Sequence, residues 1–194
     1  MVITARHYHY NQCIANNVVI LDTLRTHIKG VLSRNPSWYH ALSGFQAEGA
    51  WMVGDWQSVQ ELAQCATSEP LPEITLARVL LAMRGGHGDA VANALSVARA
   101  QLGAPIHAAG RNSYRRAYDS VLNLHLLHDV ELIYETIVAR RSKGGAKDNS
   151  DVVTTLSETL SRRFEATLPS FRTREPVLNL QRTALGLRWP PGGF

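Results

Sequence analysis

Two glycine-aspartate turns constrain this chain more than any other feature of its sequence. They lie at Gly54-Asp55 and at Gly88-Asp89, 34 residues apart, and each separates two runs of apolar residues at helical spacing. Glycine readily adopts the left-handed conformation that ends a helix. The carboxylate of an aspartate then accepts hydrogen bonds from the free N–H groups at the start of the next helix. Each turn therefore predicts a helical hairpin, in which two antiparallel helices are joined by a very short link.

The 34-residue interval predicts that the hairpins repeat along the chain. It equals the period of tetratricopeptide repeats, although their strict consensus is absent. A third and looser turn is expected at His128-Asp129. No segment predicts a β-strand, so the expected fold class is all-α, an α-solenoid of stacked antiparallel helical hairpins of the tetratricopeptide or HEAT type. We expect one segment over 1–194, with hairpins at about 18–66, 72–102 and 111–141, a flexible link at 142–150 and C-terminal helices at 151–188.

Proline and its neighbours predict where the second helix of the chain begins and which face it buries. Asn35 before Pro36 is a start signal, because an Asx cap followed by proline favours the first helical turn. The helix is expected to run to about Val53. Five residues are predicted to share its inward face, namely Trp38, Leu42, Phe45, Gly49 and Met52.

Two further signals concern the second half of the chain. Pro105, preceded by Gly103, is expected to break the helix that follows Asp89. Thr173 is expected to cap the last helix, with Glu175 and Pro176 in its first turn.

The composition is typical of a folded protein with a real core. Hydrophobic residues make up 45% of the chain and charged residues 19%, which argues against disorder. Cys13 and Cys65 form no metal or redox motif, which indicates a reduced intracellular compartment. No apolar run approaches the ~20 residues that a membrane-spanning helix needs, so we expect no membrane association.

The whole chain has a net charge of +4, and its basic residues are concentrated in the second half. Residues 1–97 contain six Lys and Arg against seven Asp and Glu, whereas residues 98–194 contain fourteen against nine. Such a surplus is found on surfaces that bind nucleic acids or acidic partners. It is also typical of solvated helix faces, which is the interpretation that we favour. We therefore expect solvated faces and no direct DNA binding.

The sequence contains no motif that carries catalysis. The glycine-rich run 85–88 lacks the preceding strand and the following Lys-Ser/Thr of a phosphate-binding loop, so a helix stop is expected there. His7, His9, His125 and His128 are the candidate metal ligands, but no third ligand accompanies the helical pair His125 and His128. His125 lies on the apolar face of its predicted helix, which favours a core histidine. We assign no catalytic, cofactor-binding or metal-binding residue.

Three residues near the start of one strong helix have two readings. Tyr114 and Tyr118 could pack in the core while Arg116 extends to solvent. The same three side chains could instead form a stacking contact with a neighbouring domain.

Three stretches of the chain together resemble one known family. Residues 47–56 (AEGAWMVGDW) are similar to the E-A-A-W-x-x-x-x-W stretch of the FAT domain in ATR-type checkpoint kinases. Residues 113–127, with SYRRAY followed by LHLL, resemble its S-Y-x-R-G-Y and R-L-H-M-L stretches. Residues 174–182 (REPVLNLQR) are similar to its K-E-P-I-L-A-L-R-R. The likeness covers about 8–187, with departures at Ala117, Asn123 and Gln181 that favour a divergent fungal or protist member.

The resemblance implies a non-catalytic role within a much larger protein. FAT domains of this type are α-solenoids that wrap the kinase domain of nuclear serine/threonine kinases, which signal DNA damage and stalled replication. The implied partners are the kinase domain of the same parent chain, an ATRIP-type regulatory subunit and a second copy in a homodimer. The residues expected to make packing or inter-domain contacts are Tyr114, Arg116, Tyr118, Arg174, Glu175 and Arg182.

Two other functions stay open beside the kinase scaffold. One is a stand-alone tetratricopeptide-like adaptor, which would hold a peptide or protein partner in a groove lined by Asn, Lys and Arg. The other is a helical enzyme or metal protein that uses His125 and His128.

Overall fold

A computed structural model describes residues 19–65, 71–108, 113–142 and 149–187 of the chain. Helix α1 is described over residues 19–34, and a short 3-10 turn follows at Pro36–Trp38. The remaining helices are α2 (Tyr39–Val53), α3 (Trp56–Gln64), α4 (Pro72–Gly85), α5 (Gly88–Ala108), α6 (Tyr114–Ser142), α7 (Asn149–Glu165) and α8 (Phe171–Leu185). Within these ranges there is no β-strand, and the predicted all-α fold class of the α-solenoid type is confirmed.

The chain divides into two compact units, Met1–Ala77 and Arg78–Phe194. One segment was expected over 1–194; the division falls inside α4, where no turn residue marks it.

The first predicted turn has the expected geometry. Gly54 has φ 79° and ψ 20°, the left-handed conformation, and it ends α2. The Asp55 carboxylate accepts a hydrogen bond from the Ser58 backbone N–H at 3.2 Å and caps α3. At the other end of this hairpin the Tyr39 hydroxyl donates to Cys65 Sγ at 3.0 Å. Helices α2 and α3 are therefore an antiparallel pair, as predicted.

Small residues form most of the buried face of α2. Trp38 and Phe45, predicted to face inward, are 56% and 61% exposed. The buried face consists of Ser43, Gly44, Gln46, Ala47, Gly49, Ala50 and Trp51. A Cβ atom on Gly44 would lie 2.7 Å from Glu73 Oε2, so the small residues let a neighbouring segment approach closely. Asn35 starts the 3-10 turn but makes no side-chain capping bond.

Arg25 joins α1 to the α2–α3 turn. Its guanidinium donates to the Asp55 carboxylate and, at 3.1 Å, to the Ser58 hydroxyl. The stem of Arg25 packs on Gly49, where a Cβ atom would lie 3.4 Å from it. The residue that caps α3 thus also holds α1.

In the second unit, α5 packs on α6, and α6 packs on both α7 and α8. Gly86, at φ 76°, ends α4 and α5 begins at Gly88, which confirms the glycine-rich run as a helix stop. Helix α5 continues through Pro105 to Ala108, so the predicted break at this proline is wrong. The proline has no backbone N–H to donate within the helix, and only three residues of α5 follow it.

The predicted turn at His128-Asp129 does not exist. Helix α6 runs without interruption over 29 residues, so residues 111–141 are not a hairpin. No glycine precedes Asp129, and its carboxylate binds side chains of other helices instead of capping a helix start. Of the predicted flexible link 142–150, Ser142 ends α6 and Asn149 begins α7, and residues 143–148 lie outside the described ranges.

The last helix begins earlier than predicted. Its cap is Ser170, whose hydroxyl accepts from the Thr173 backbone N–H at 3.3 Å. Thr173 is therefore inside α8, and Pro176 lies beyond the first turn. Sequence reasoning chose the wrong one of two hydroxyl residues three positions apart.

Candidate interaction surface

The link between α7 and α8, residues 166–170, is held in place by side chains of α6 and α8. The Tyr118 hydroxyl of α6 accepts a hydrogen bond from the Leu168 backbone N–H at 3.1 Å. From α8, Arg174 Nη2 donates to the Thr167 carbonyl at 3.5 Å. The Arg174 guanidinium also lies 4.8 Å from the centre of the Phe164 ring, a cation–π contact with the end of α7. The link therefore presents its side chains from a fixed backbone.

Exposed or half-exposed apolar side chains occur on this link, at the start of α8 and on the stretch of α6 that carries Tyr118, and we name this set the aromatic end. It consists of Tyr114, Tyr118, Val121, Leu168 and Phe171. Tyr114 and Phe171 are 87% and 82% exposed, and Leu168 is 54% exposed. Tyr114, Tyr118 and Val121 follow one another at helical spacing on α6. Exposed aromatic side chains on a rigid backbone are typical of surfaces that bind another protein.

The six residues singled out from the sequence have different surroundings. Tyr118 and Arg174 meet at the α7–α8 link, and Tyr114 lies one helical turn away from Tyr118. Glu175 accepts a hydrogen bond from Asn179 within α8, and the Arg182 carbonyl accepts from the Gly186 N–H at 2.9 Å. Arg116 belongs to α6, but its side chain lies outside the described part of the structure. The structure thus brings two of the six together and places a third beside them.

A buried carboxylate that sequence reasoning missed joins α6, α7 and α8. Asp129 is fully buried, and its carboxylate accepts from the Arg163 guanidinium and, at 2.8 Å, from Gln181 Nε2. Arg163 Nη2 also donates to the His125 carbonyl at 3.2 Å. Its partners lie 34 and 52 residues away in sequence, so no local pattern could have indicated them. The one signal in the sequence for a buried charge was the position of Asp129 between Leu127 and Val130, both of which are buried.

The two helical histidines contact carboxylates of their own helix. His125 Nε2 lies 3.9 Å from the Asp129 carboxylate, and His128 Nδ1 lies 3.4 Å from Glu131. Burial lowers the pKa of His125, against the opposing effect of the Asp129 charge. Among the residues that the structure describes, no group of three or more His, Cys, Asp or Glu side chains could hold a metal ion.

One groove of the described residues has a lining unlike the one expected of a peptide adaptor. A groove of about 460 Å³ lies between α7 and α8. Its lining is mostly apolar or uncharged, with Val153, Leu156, Ser157, Leu160, Ser161, Phe164, Glu165, Leu178, Gln181 and Leu185. The Asn, Lys and Arg lining expected of the adaptor is not found in this groove. In the four described ranges, no helix is both long enough and apolar enough to cross a membrane.

These observations define a class of protein before any comparison: an all-α chain of helical hairpins with an exposed aromatic surface. The model of the FAT domain family matches residues 43–188 of the chain. The chain belongs to the FAT domain family, and the resemblance to the FAT domain of ATR-type kinases is confirmed.

The relatives that the chain matches are plant kinases. It is 29% identical over 192 residues to the serine/threonine-protein kinase ATR of Arabidopsis thaliana, which covers 93% of this chain and 7% of that protein. The kinases of the same name from Oryza sativa subsp. indica and japonica are each 29% identical over 198 residues, covering 94% of this chain and 7% of theirs. The chain thus spans a small fraction of these relatives. No solved structure matches it.

Proposed function

We propose that this chain is a non-catalytic scaffold segment of an ATR-like serine/threonine kinase, and that it packs on the kinase domain and regulates it. The match to the FAT domain supports the assignment of this chain as a segment of a larger protein. The relatives are kinases, and the chain covers 7% of their length. Catalysis then belongs to residues of the parent chain outside this sequence. Tested alone, the chain should transfer no phosphate, and intrinsic kinase activity of the purified segment would contradict the scaffold role.

The aromatic end is the surface that we assign to the kinase domain. The single observation that carries this assignment is the near-complete exposure of Tyr114 and Phe171 beside a link fixed by Tyr118 and Arg174. Aromatic side chains contribute most of the binding energy in many interfaces, and a fixed backbone reduces the entropy lost on binding. Arg116, Glu175 and Arg182 are proposed as further packing or inter-domain contact residues.

The signalling role, the nuclear location and the further partners are proposed from the resemblance to ATR-type kinases. The parent kinase would act in DNA-damage and replication-stress checkpoint signalling in the nucleus. An ATRIP-type regulatory subunit and a second copy of the parent are further proposed partners. Contacts with them would use surfaces other than the aromatic end.

The test uses the full-length parent kinase with Tyr114→Ala and Phe171→Ala combined. Loss of two exposed aromatic contacts should weaken the packing by about 2 kcal/mol or more. That is enough to shift a balance between two kinase states about tenfold or more, so we expect a change of that order in basal activity. The matched control is Phe45→Ala, which removes an exposed aromatic side chain from the first unit.

Two results are informative. If only the double variant changes the kinase activity, the aromatic end is the regulatory contact. If the double variant and Phe45→Ala behave alike while both proteins stay folded, the assignment of this surface is wrong.

A further inference from the structure

The groove between α7 and α8 leaves apolar side chains of both helices open to solvent. Val153 of α7 is 47% exposed, and Leu178 and Leu185 of α8 are 40% and 51% exposed. All three line the groove of about 460 Å³, together with Leu156 and Leu160. An open apolar groove along two helices is typical of a surface that other helices cover.

The apolar residues of the groove are spaced as in a helical bundle. Val153 and Leu160 on α7 are seven residues apart, and so are Leu178 and Leu185 on α8. Residues seven apart lie about 10.5 Å from each other along a helix and on nearly the same side of it. This repeat brings apolar side chains against a facing helix in coiled coils and four-helix bundles. The α7–α8 pair therefore has the pattern of one half of such a bundle.

Two charged side chains lie toward opposite ends of the groove. Glu165 lines it at the C-terminal end of α7, next to the link. Arg182 follows Leu178 by four residues and precedes Leu185 by three, so it lies on the same side of α8 as these two leucines. Among the residues that the structure describes, neither the Glu165 carboxylate nor the Arg182 guanidinium forms an ion pair. Both charges are therefore available to a partner.

This arrangement is complementary to itself. Since a link of five residues, 166–170, joins α7 and α8, the two helices run in opposite directions along the groove. The acidic group lies at the link end on α7, and the basic group lies about 16 Å from the start of α8, toward the other end. A two-fold axis through the middle of the groove exchanges both the ends and the helices. Glu165 of one copy then faces Arg182 of the other, twice, around a shared apolar centre.

We propose that a second copy of this chain covers the α7–α8 groove, so that α7 and α8 of the two copies form a four-helix bundle. An interface with two-fold symmetry needs a patch that is complementary to itself, whereas a helix of an unrelated protein imposes no such relation between the ends. The inference deepens the proposed function, on which it rests for taking a second copy as a partner, and names the surface that this partner covers.

The size of the groove sets the expected strength of the dimer. The groove follows α8 for about 20 Å and is two helices wide, which is about 20 Å. A patch of that size is at the lower end of the range for specific protein interfaces. We therefore expect the chain to dimerise with a dissociation constant on the order of 10 µM.

Sedimentation equilibrium of the whole chain, from about 1 to 200 µM, tests the interface. Leu178→Glu places a charge in the middle of the apolar centre and should raise the dissociation constant about tenfold or more. Val97→Glu is the matched control, because Val97 lies on α5, is 44% exposed and does not line the groove. A chain that stays monomeric over the whole range would overturn the proposal. So would a dimer that both variants weaken equally, or that neither weakens.

Charge reversal then tests the pairing across the two copies. Glu165→Arg alone places like charges opposite each other at both ends, and so does Arg182→Glu, so each should raise the dissociation constant about tenfold or more. When the two variants are mixed, opposite charges meet again at both ends, and a mixed dimer of nearly wild-type affinity should form. Misfolding of either variant cannot produce that recovery. If the wild-type chain dimerises but the mixture does not recover, the assigned pairing is wrong.

These measurements are independent of the contact proposed for the kinase domain. They use no kinase activity and change no residue of the aromatic end. A monomeric chain together with the expected effect of Tyr114→Ala and Phe171→Ala on the parent kinase would remove this inference and leave the proposed function standing. A dimer that recovers on mixing, in the absence of that effect, would do the opposite.

Discussion

At the scale of single residues, the second unit depends on one buried carboxylate. Asp129 is inaccessible to solvent and is bound by side chains from two other helices. A charge in that position is tolerated because Arg163 and Gln181 compensate the loss of hydration. If Arg163 is removed, the Asp129 carboxylate is left buried without its guanidinium partner, which costs more than the pair itself contributes.

Arg163→Met should therefore lower the free energy of unfolding by about 3 kcal/mol or more. The double substitution Asp129→Leu with Arg163→Met should cost less than the sum of the two single changes, because it leaves no unpaired charge. Arg162→Met, at an exposed neighbouring position, is the control and should cost about 0.5 kcal/mol or less. Denaturant unfolding of the four variants measures these differences, and strict additivity would show that the pair is not coupled.

Asp55 gives a prediction about pH. The Arg25 guanidinium and the Ser58 hydroxyl, both donating to the carboxylate, lower the pKa of Asp55 to about 2. A folded-state pKa below the unfolded one means that the carboxylate stabilises the fold above the unfolded pKa, about 3.9. That contribution is lost as the pH falls through about 2.

Asp55→Asn retains a capping residue but removes the charge. The loss of stability that it causes should be largest near neutral pH and should shrink steadily between about pH 4 and pH 2. Unfolding free energies measured across this range check the prediction. A loss that is the same at pH 7 and pH 2 would mean that the Asp55 charge is not involved.

At the scale of helices, local signals predicted well those features that are local in origin. The Gly54-Asp55 turn, its cap and the stop at Gly86 all depend on residues within a few positions of one another. The uninterrupted course of α6 also has a local origin, because no glycine or proline lies between Tyr114 and Ser142. The partners of Asp129 in α7 and α8, by contrast, lie in no short window of sequence around it. The buried face of α2 was misjudged for a related reason. Which face of a helix is buried is decided by how closely its neighbours approach, and α2 uses its small residues for that contact.

Glycine substitutions test the predicted turn geometry. Gly54→Ala should lower the free energy of unfolding by about 1 kcal/mol, because φ 79° is strained for any residue with a Cβ atom. Gly30→Ala is the control in a helix interior, where no atom lies within 4 Å of the added Cβ. That change should instead stabilise the protein by about 0.5–1 kcal/mol. If both substitutions have the same sign, the left-handed conformation of Gly54 does not contribute as described.

At the scale of the whole molecule, the family could be predicted from the sequence because its motifs contain packing residues. Trp51 in the first motif, Leu126 and Leu127 in the second, and Val177 and Leu180 in the third are all buried. The exposed surface could not be predicted in the same way. Tyr114 and Phe171 are aromatic residues at helical positions, and nothing in their local sequence distinguishes them from buried ones. Phe171 directly follows the α7–α8 link, which is held by Arg174 and, from 50 residues away in sequence, by Tyr118.

The central claim is that the aromatic end contacts the kinase domain of the parent chain. A photo-reactive benzoylphenylalanine placed at position 171 of the full-length kinase, with the same group at position 45 as the control, measures that contact directly. The account predicts cross-links from position 171 to residues of the kinase domain, and none to it from position 45. Cross-links from position 171 that reach only other helical residues, in a kinase that stays folded and active, would contradict it.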